Sequence, residues 1–183
     1  MKLCLQNMNV RNKRVILRVD YNVPVLNDKI LDDSKIKETL ETIFYLLNEN
    51  CQIVILSHFG KIRNELDKKK YSLEIVAKRL QELIHQEVYF SKINFGPEVL
   101  ERVEAMKSKE VLMLENTRFM DYPKKLESKC DSQLALFWSK LGSVFVNDAF
   151  ATAHRRHAST YGISTYIPSC IGFLMQKEIG MLD

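Results

Sequence analysis

Four short runs rich in Val, Ile and Leu, at residues 14–19, 52–56, 111–114 and 143–146, show no polar alternation, and segments with helical spacing lie between them. A strand with one wet face alternates apolar and polar side chains; a strand without that alternation has both faces covered. The intervening segments supply the cover: Ile36, Leu40, Ile43, Phe44 and Leu47, then Leu73, Val76, Leu80, Leu83 and Ile84. Val99, Leu100, Val103 and Met106 continue the series, followed by Leu134, Phe137, Trp138 and Leu141. Strand and helix in alternation predict an α/β protein, a three-layer sandwich whose mainly parallel, Rossmann-like sheet carries helices on both faces. Ser72 and Asp131 stand where N-caps belong, Pro97 suits a first helical turn, and residues 87–90 add a short strand. Residues 23–33 fit neither period and read as a loop or small hairpin turning at Asn27 and Asp28. The apolar stretch from Gly172 onward reads as a last helix, and 183 residues are enough for one domain with a real core.

Each apolar run stops at a small polar cluster. The first leads into Asp20, Tyr21 and Asn22, the second into Ser57, His58, Phe59, Gly60 and Lys61. The third leads into Glu115, Asn116, Thr117 and Arg118, the last into Asn147 and Asp148 and then His154, Arg155, Arg156 and His157. In open parallel sheets ligands sit outside the carboxyl ends of the strands, so the clusters are expected to converge on one site. Its charge would be basic, suited to an anion.

Taken singly, each cluster has two readings. Asp20 and Asn22 can fix hydroxyl groups of a ligand or simply form an Asx turn into Pro24. Gly60 can bring backbone N–H groups close to an anion while Lys61 adds charge, or can serve an ordinary strand-to-loop turn. Arg118 offers a planar fork for phosphate or carboxylate, or pairs with Glu115 or Asp121. His154 and His157 have the spacing of a shared helix face, but Arg155 and Arg156 between them oppose a cation and no Cys joins them, so no metal site is expected. A GxSxG elbow, a GxxxxGK[ST] loop and a GxGxxG loop are all missing from a chain with only six Gly. Anion binding by Arg155 with His154 or His157 fits the charges best.

Composition narrows the partners. A net charge of +4 without a stripe of basic and aromatic residues argues against nucleic acid. No apolar stretch approaches the roughly 20 residues of a membrane span, and residues 1–10 lack a signal peptide's apolar segment, so a cytoplasmic protein without membrane contact is expected. Cys4, Cys51, Cys130 and Cys170 show no CxxC spacing and read as reduced and structural, Cys51 as buried.

In their order, RVDYNVP, ILDDSKI, SHFGK, LENTRF, NDAFATAHRRHAS and GFLMQKE resemble the N-terminal half of the phosphoglycerate kinase family, across essentially the whole chain. The resemblance implies a monomeric, two-domain glycolytic kinase. Residues 1–170 would be its 3-phosphoglycerate-binding domain and 171–183 the start of the interdomain helix. The C-terminal nucleotide domain, which takes ADP or ATP with magnesium, would be absent, leaving this chain inactive alone. Asp20 and Asn22 would hold the glycerate hydroxyl and carboxylate end, with Tyr21, Phe59, His58 and the backbone near Gly60 around the substrate. Lys61, Arg118 and Arg155 would grip the 3-phosphate side, supported by His154, His157 and Arg63.

The chain also departs from the family pattern. Lys35 stands where the family places an arginine that neutralises the phosphoryl group in flight, so Lys35 is the expected catalytic residue and Lys35→Arg is expected to raise turnover in a full-length enzyme. Lys61 replaces a frequent arginine, and Ala151 replaces a glycine, which matters if that backbone needs positive φ. Tyr21 for phenylalanine and Arg156 are milder changes. The alternative implied by the missing half is a non-catalytic module that binds or senses a phosphorylated metabolite.

Overall fold

The computed structural model describes residues 3–182. Met1 and Lys2 of the expected 1–170 domain, and Asp183 of the expected 171–183 helix, lie outside the described residues. The chain runs β1 (Arg14–Arg18), β2 (Val25–Leu26), β3 (Lys29–Ile30), α1 (Ser34–Lys37), α2 (Leu40–Asn48) and β4 (Gln52–Leu56). It continues through α3 (Glu65–Lys70), α4 (Glu74–Ile84), β5 (Val88–Ser91), α5 (Pro97–Glu104) and β6 (Val111–Leu114). The last elements are α6 (Ser132–Ser139), β7 (Val144–Asn147), β8 (Ser169–Ile171) and α7 (Phe173–Gly180).

Six strands form one sheet in the order β5-β6-β4-β1-β7-β8, every pair parallel. β1 lies between β4 and β7, so the chain leaves it in one direction and later returns to its other side. Alternation along β1 and β4 sorts the core into two layers. Val15, Leu17, Ile53 and Ile55 pack with Ile43, Leu46, Val76 and Leu80 of α2 and α4. Ile16, Val54 and Leu56 pack with Val99, Val103, Leu134 and Trp138 of α5 and α6. This is the three-layer α/β architecture that unalternating strands require.

The expected hairpin is present as β2 and β3, with Asn27 and Asp28 both in the left-handed region at φ 50° and 59°. Asp131 caps α6 by accepting from Leu134 N–H at 2.9 Å, and Pro97 opens α5. Two local expectations need correction. The periodic stretch from Ile36 to Leu47 is not one helix, because buried Thr39 interrupts it, its hydroxyl donating to the Ile36 carbonyl at 2.8 Å and meeting Tyr21 OH at 2.7 Å. Ser72 lies one residue before the N-cap of α4; its hydroxyl still accepts from Glu74 N–H at 3.3 Å while donating to Glu115 at 2.6 Å. Cys51 is buried as expected, its thiol donating to Val10 C=O and pushed up to about 11 by burial.

Candidate functional site

The carboxyl ends of β1, β4 and β6 and the segment after β7 frame a cleft of about 680 Å³. Asp20 and Asn22 follow β1, His58, Gly60 and Lys61 follow β4, and Arg118 follows β6. Ala151, Thr152 and Arg155 close the side after β7, and Lys35 enters from α1. The far wall, made by Arg63, Asn64, Asp67, Lys70 and Tyr71, belongs to α3 and its flanks. Lys35, Lys61, Arg63, Lys70, Arg118 and Arg155 thus face two carboxylates, Asp20 and Asp67. Such an excess of positive charge in a recess attracts a small anion.

The Gly60 turn holds the cleft's shape. Gly60 adopts φ +59°, and a Cβ there would lie 2.3 Å from the Tyr71 ring. Its N–H donates to Asn22 Oδ1 at 3.0 Å and its carbonyl accepts from Arg118 Nη1 at 2.9 Å. The Gly60 N–H is therefore committed to Asn22. Asn22 N–H in turn donates to Asp20 Oδ1 at 3.0 Å, so the Asx turn and the cleft wall are one arrangement. Behind the turn sits fully buried Asn116, whose amide donates to the carbonyls of Phe59 and Tyr71 and whose Oδ1 accepts from Phe59 N–H and Arg118 N–H. Glu115 makes no ion pair with Arg118. It accepts from Ser72 Oγ, Leu73 N–H and Asn116 N–H, and burial still holds its carboxyl above the ordinary value.

His58 is 5% exposed and lines the cleft. Its Nδ1 lies 3.2 Å from Arg18 Nη2, and a guanidinium can only donate, so Nδ1 accepts and the ring proton sits on Nε2. Burial first, and then the positive charges of Arg18, Arg118 and Lys35, push its pKa down to about 2. The ring is neutral at physiological pH. Nε2 lies 3.8 Å from Asp20 Oδ1, too far for a hydrogen bond, and Asp20 Oδ2 accepts instead from Lys35 Nζ at 3.1 Å. Arg118 is lowered from its ordinary value by burial and by neighbouring Arg155, and among the described residues its Nε has no hydrogen-bond partner.

The residues expected at the site divide into three groups. Asp20, Asn22, Lys35, His58, Gly60, Lys61, Arg63, Arg118 and Arg155 line the cleft. Tyr21 and Phe59, expected around the substrate, turn their side chains into the core, because alternation along the strand ends sends every second side chain away from the cleft. His154 is exposed outside the cleft, while His157 is buried and stands behind it. Ala151 lies in a 3-10 turn and is not among the residues with positive φ, so this backbone does not call for a glycine there. The sequence reading missed Arg18, Glu127 and Ser159; the one signal was an arginine inside an apolar run. Among the described residues no group of three or more His, Cys, Asp or Glu could hold a metal ion, and no helix is long and apolar enough to cross a membrane.

Comparison with known proteins agrees with this architecture. The phosphoglycerate kinase family profile matches residues 5–183. Curated relatives called phosphoglycerate kinase include one from Listeria innocua, 48% identical over 97% of this chain and 45% of its own length. Another, from Mycoplasma genitalium, is 50% identical over 98% of this chain and 46% of its own length. Among solved structures, phosphoglycerate kinase from Coxiella burnetii superposes with a TM-score of 0.86 at 34% identity, covering 100% of this chain and 44% of that one. Phosphoglycerate kinase from Pyrococcus horikoshii OT3 gives 0.87 at 38% identity, covering 98% and 44%. The chain spans about half the length of the relatives it matches. By profile, by sequence identity along nearly its whole length and by fold, the chain belongs to the phosphoglycerate kinase family.

Proposed function

We propose that the cleft binds 3-phosphoglycerate, and its acyl phosphate 1,3-bisphosphoglycerate, on the acid side of the reversible glycolytic phosphoryl transfer with ADP and ATP. The observation that carries the reading is the cleft's charge, six basic side chains against two carboxylates, beside an Nε2–H donor and an amide at one end. Lys61, Arg118 and Arg155 suit the phosphate. Asp20, Asn22 and His58 suit the hydroxyl and carboxylate end, where a hydroxyl can donate to Asp20 and a carboxylate can accept from His58 Nε2–H and the Asn22 amide. Phosphoryl transfer to a carboxylate needs positioning and positive charge, with no covalent nucleophile, which is what these groups offer. Lys35 is the catalytic residue of this reading, which its place in the cleft and its 45% exposed side chain, paired with Asp20 at 3.1 Å, support.

Magnesium nucleotide does not fit the described residues. The cleft has two acidic side chains and no glycine-rich loop, and among the described residues no group of three or more His, Cys, Asp or Glu could hold the metal. On the same reading, residues up to 170 form the acid-binding domain and α7 begins the helix toward a nucleotide-binding domain in proteins of the relatives' length. The protein would work in the cytoplasm as a monomer. The test is calorimetric titration of this chain with 3-phosphoglycerate and, separately, with magnesium ATP. Binding of the acid, abolished in the Arg118→Ala, Arg155→Ala double variant, is expected; equal binding by parent and double variant would refute the assignment. Binding without turnover once nucleotide-binding residues are supplied would favour a non-catalytic, metabolite-sensing module.

A further inference from the structure

A fully buried arginine stands directly behind the cleft. Arg18 is 0% exposed and has no ion-pair partner within 4.0 Å among the described residues. Burying a guanidinium in this way is costly unless its donors are satisfied and a compensating charge is near. Each of its three nitrogens has an acceptor: Nε donates to Ser159 Oγ at 2.9 Å, Nη1 to the Val19 carbonyl, and Nη2 to His58 Nδ1 at 3.2 Å. Buried Glu127 anchors the serine, its Oε1 accepting from Ser159 N–H at 2.8 Å and its carbonyl from Ala158 N–H at 3.0 Å. Its other oxygen, Oε2, has no hydrogen-bond partner among the described residues. An unbroken chain of contacts therefore runs from Glu127 through Ser159 and Arg18 to His58.

We infer that Ser159 and Glu127, acting through Arg18, are positioning residues that fix the His58 ring as its Nε2–H form, with that donor presented to the ligand. Arg18 has no acceptor, so while its Nη2 faces Nδ1 the ring cannot carry a proton there. Two anchors hold Arg18 in that pose, the Val19 carbonyl and Ser159 Oγ, and only the second depends on a residue distant in sequence. Glu127 holds the serine in place and supplies the largest favourable charge interaction with the guanidinium, ahead of Asp20. Without them the imidazole is free to place its proton on either nitrogen, and the ligand loses a preorganised donor. The affinity part of the inference rests on the proposed substrate; the ring's protonation form does not.

The test uses this chain labelled with ¹⁵N at histidine, as Ser159→Ala and as Glu127→Gln, with three readouts: ring-nitrogen shifts of His58, 3-phosphoglycerate titration and thermal unfolding. The parent is expected to show a single form with Nδ1 unprotonated. Ser159→Ala is expected to average the two ring nitrogens and to weaken 3-phosphoglycerate binding about tenfold, what loss of one charge-assisted hydrogen bond amounts to. Glu127→Gln keeps an acceptor for Ser159 N–H, so it remains informative should Ser159→Ala fail to fold, and it is expected to shift the ring nitrogens the same way. A parent ring protonated on Nδ1, or variants that unfold earlier yet keep the parent's ring shifts, would overturn the inference and leave these residues a purely structural role. If the parent binds no 3-phosphoglycerate, the substrate proposal fails, and the ring shifts still decide the positioning role.

Discussion

Asn22 and Gly60, 38 residues apart in sequence, are joined by a 3.0 Å hydrogen bond from the glycine N–H to the asparagine side-chain oxygen. That bond ties the end of β1 to the end of β4 and so sets the width of the cleft between them. Asn22→Ala removes it and is expected to weaken 3-phosphoglycerate binding about tenfold while lowering stability by only about 1 kcal/mol. Asn22→Asp keeps an acceptor for Gly60 but adds negative charge to an anion site. It should leave unfolding nearly unchanged and weaken binding at least as much, a contrast that titration and urea unfolding of the two variants can read directly.

Gly60 carries a second constraint. Its left-handed backbone alone makes alanine unfavourable by about 1 kcal/mol, and the new methyl would also meet the Tyr71 ring at 2.3 Å. Tyr71 cannot yield freely, because it packs edge-on against Phe59 with ring centroids 5.5 Å apart. Gly60→Ala is expected to cost about 2–3 kcal/mol in urea unfolding. In a Tyr71→Ala background the steric part should vanish, leaving about 1 kcal/mol for the backbone; an unreduced cost there would assign the whole effect to φ.

His58 makes the fold sensitive to acid. An unfolded histidine titrates near 6.5, whereas the folded ring is held at about 2, so below pH 6.5 the unfolded chain takes up a proton that the folded one refuses. Stability from this site is complete above pH 6.5 and declines as pH falls toward 2, by about 1.4 kcal/mol per pH unit. His157, lowered by burial, acts in the same direction; Glu115 and Asp148, both raised by burial, act in the opposite one. His58→Gln should flatten the fall in unfolding free energy between about pH 6 and pH 4 by close to one proton's slope. A slope identical to the parent's would mean that the folded ring titrates normally.

Asp148 holds the start of α7, its Oδ1 accepting from Met175 N–H at 3.0 Å, but burial raises its carboxyl and Oδ2 has no partner among the described residues. A raised carboxylate favours folding below its unfolded pKa and costs stability once pH rises through its folded one. Asp148→Asn keeps the oxygen that caps the helix and removes the buried charge. It should raise stability at pH 8, on the order of 1 kcal/mol, with the gain shrinking as pH falls. The same packing forbids a side chain at Gly172, whose Cβ would lie 2.4 Å from Asp148 Cγ. Gly172→Ala should therefore destabilise the protein in thermal unfolding.

The cleft was legible where chemistry follows a strand directly. Asp20, Asn22, His58, Gly60, Lys61 and Arg118 lie within a few residues of a strand end, and a parallel sheet brings all such ends to one edge. Tyr21 and Phe59 were misplaced because a turn leaving a strand alternates its side chains, and composition does not say which way each points. The far wall, with Asn64, Asp67 and Lys70, was invisible because α3 buries no residue and so leaves no apolar period. β8 escaped for a related reason: three residues are too few to show a period of any kind.

The sequence by itself determined the layer architecture, since strands without polar alternation and amphipathic helices between them can bury their apolar faces in few other ways. It also determined the sign of the site, because lysines and arginines gathered after strand ends sum to positive charge wherever they point. Only the tertiary structure decided which groups are free to act. Gly60 N–H is spent on Asn22, Asn116 on the turn behind it, and His58 receives its proton placement from Arg18, a partner 40 residues away held by Ser159, 141 residues further along. Hydrogen bonds across such separations depend on distances of a few tenths of an ångström, set by how two packed layers meet a common sheet, and no local pattern of residues encodes that meeting.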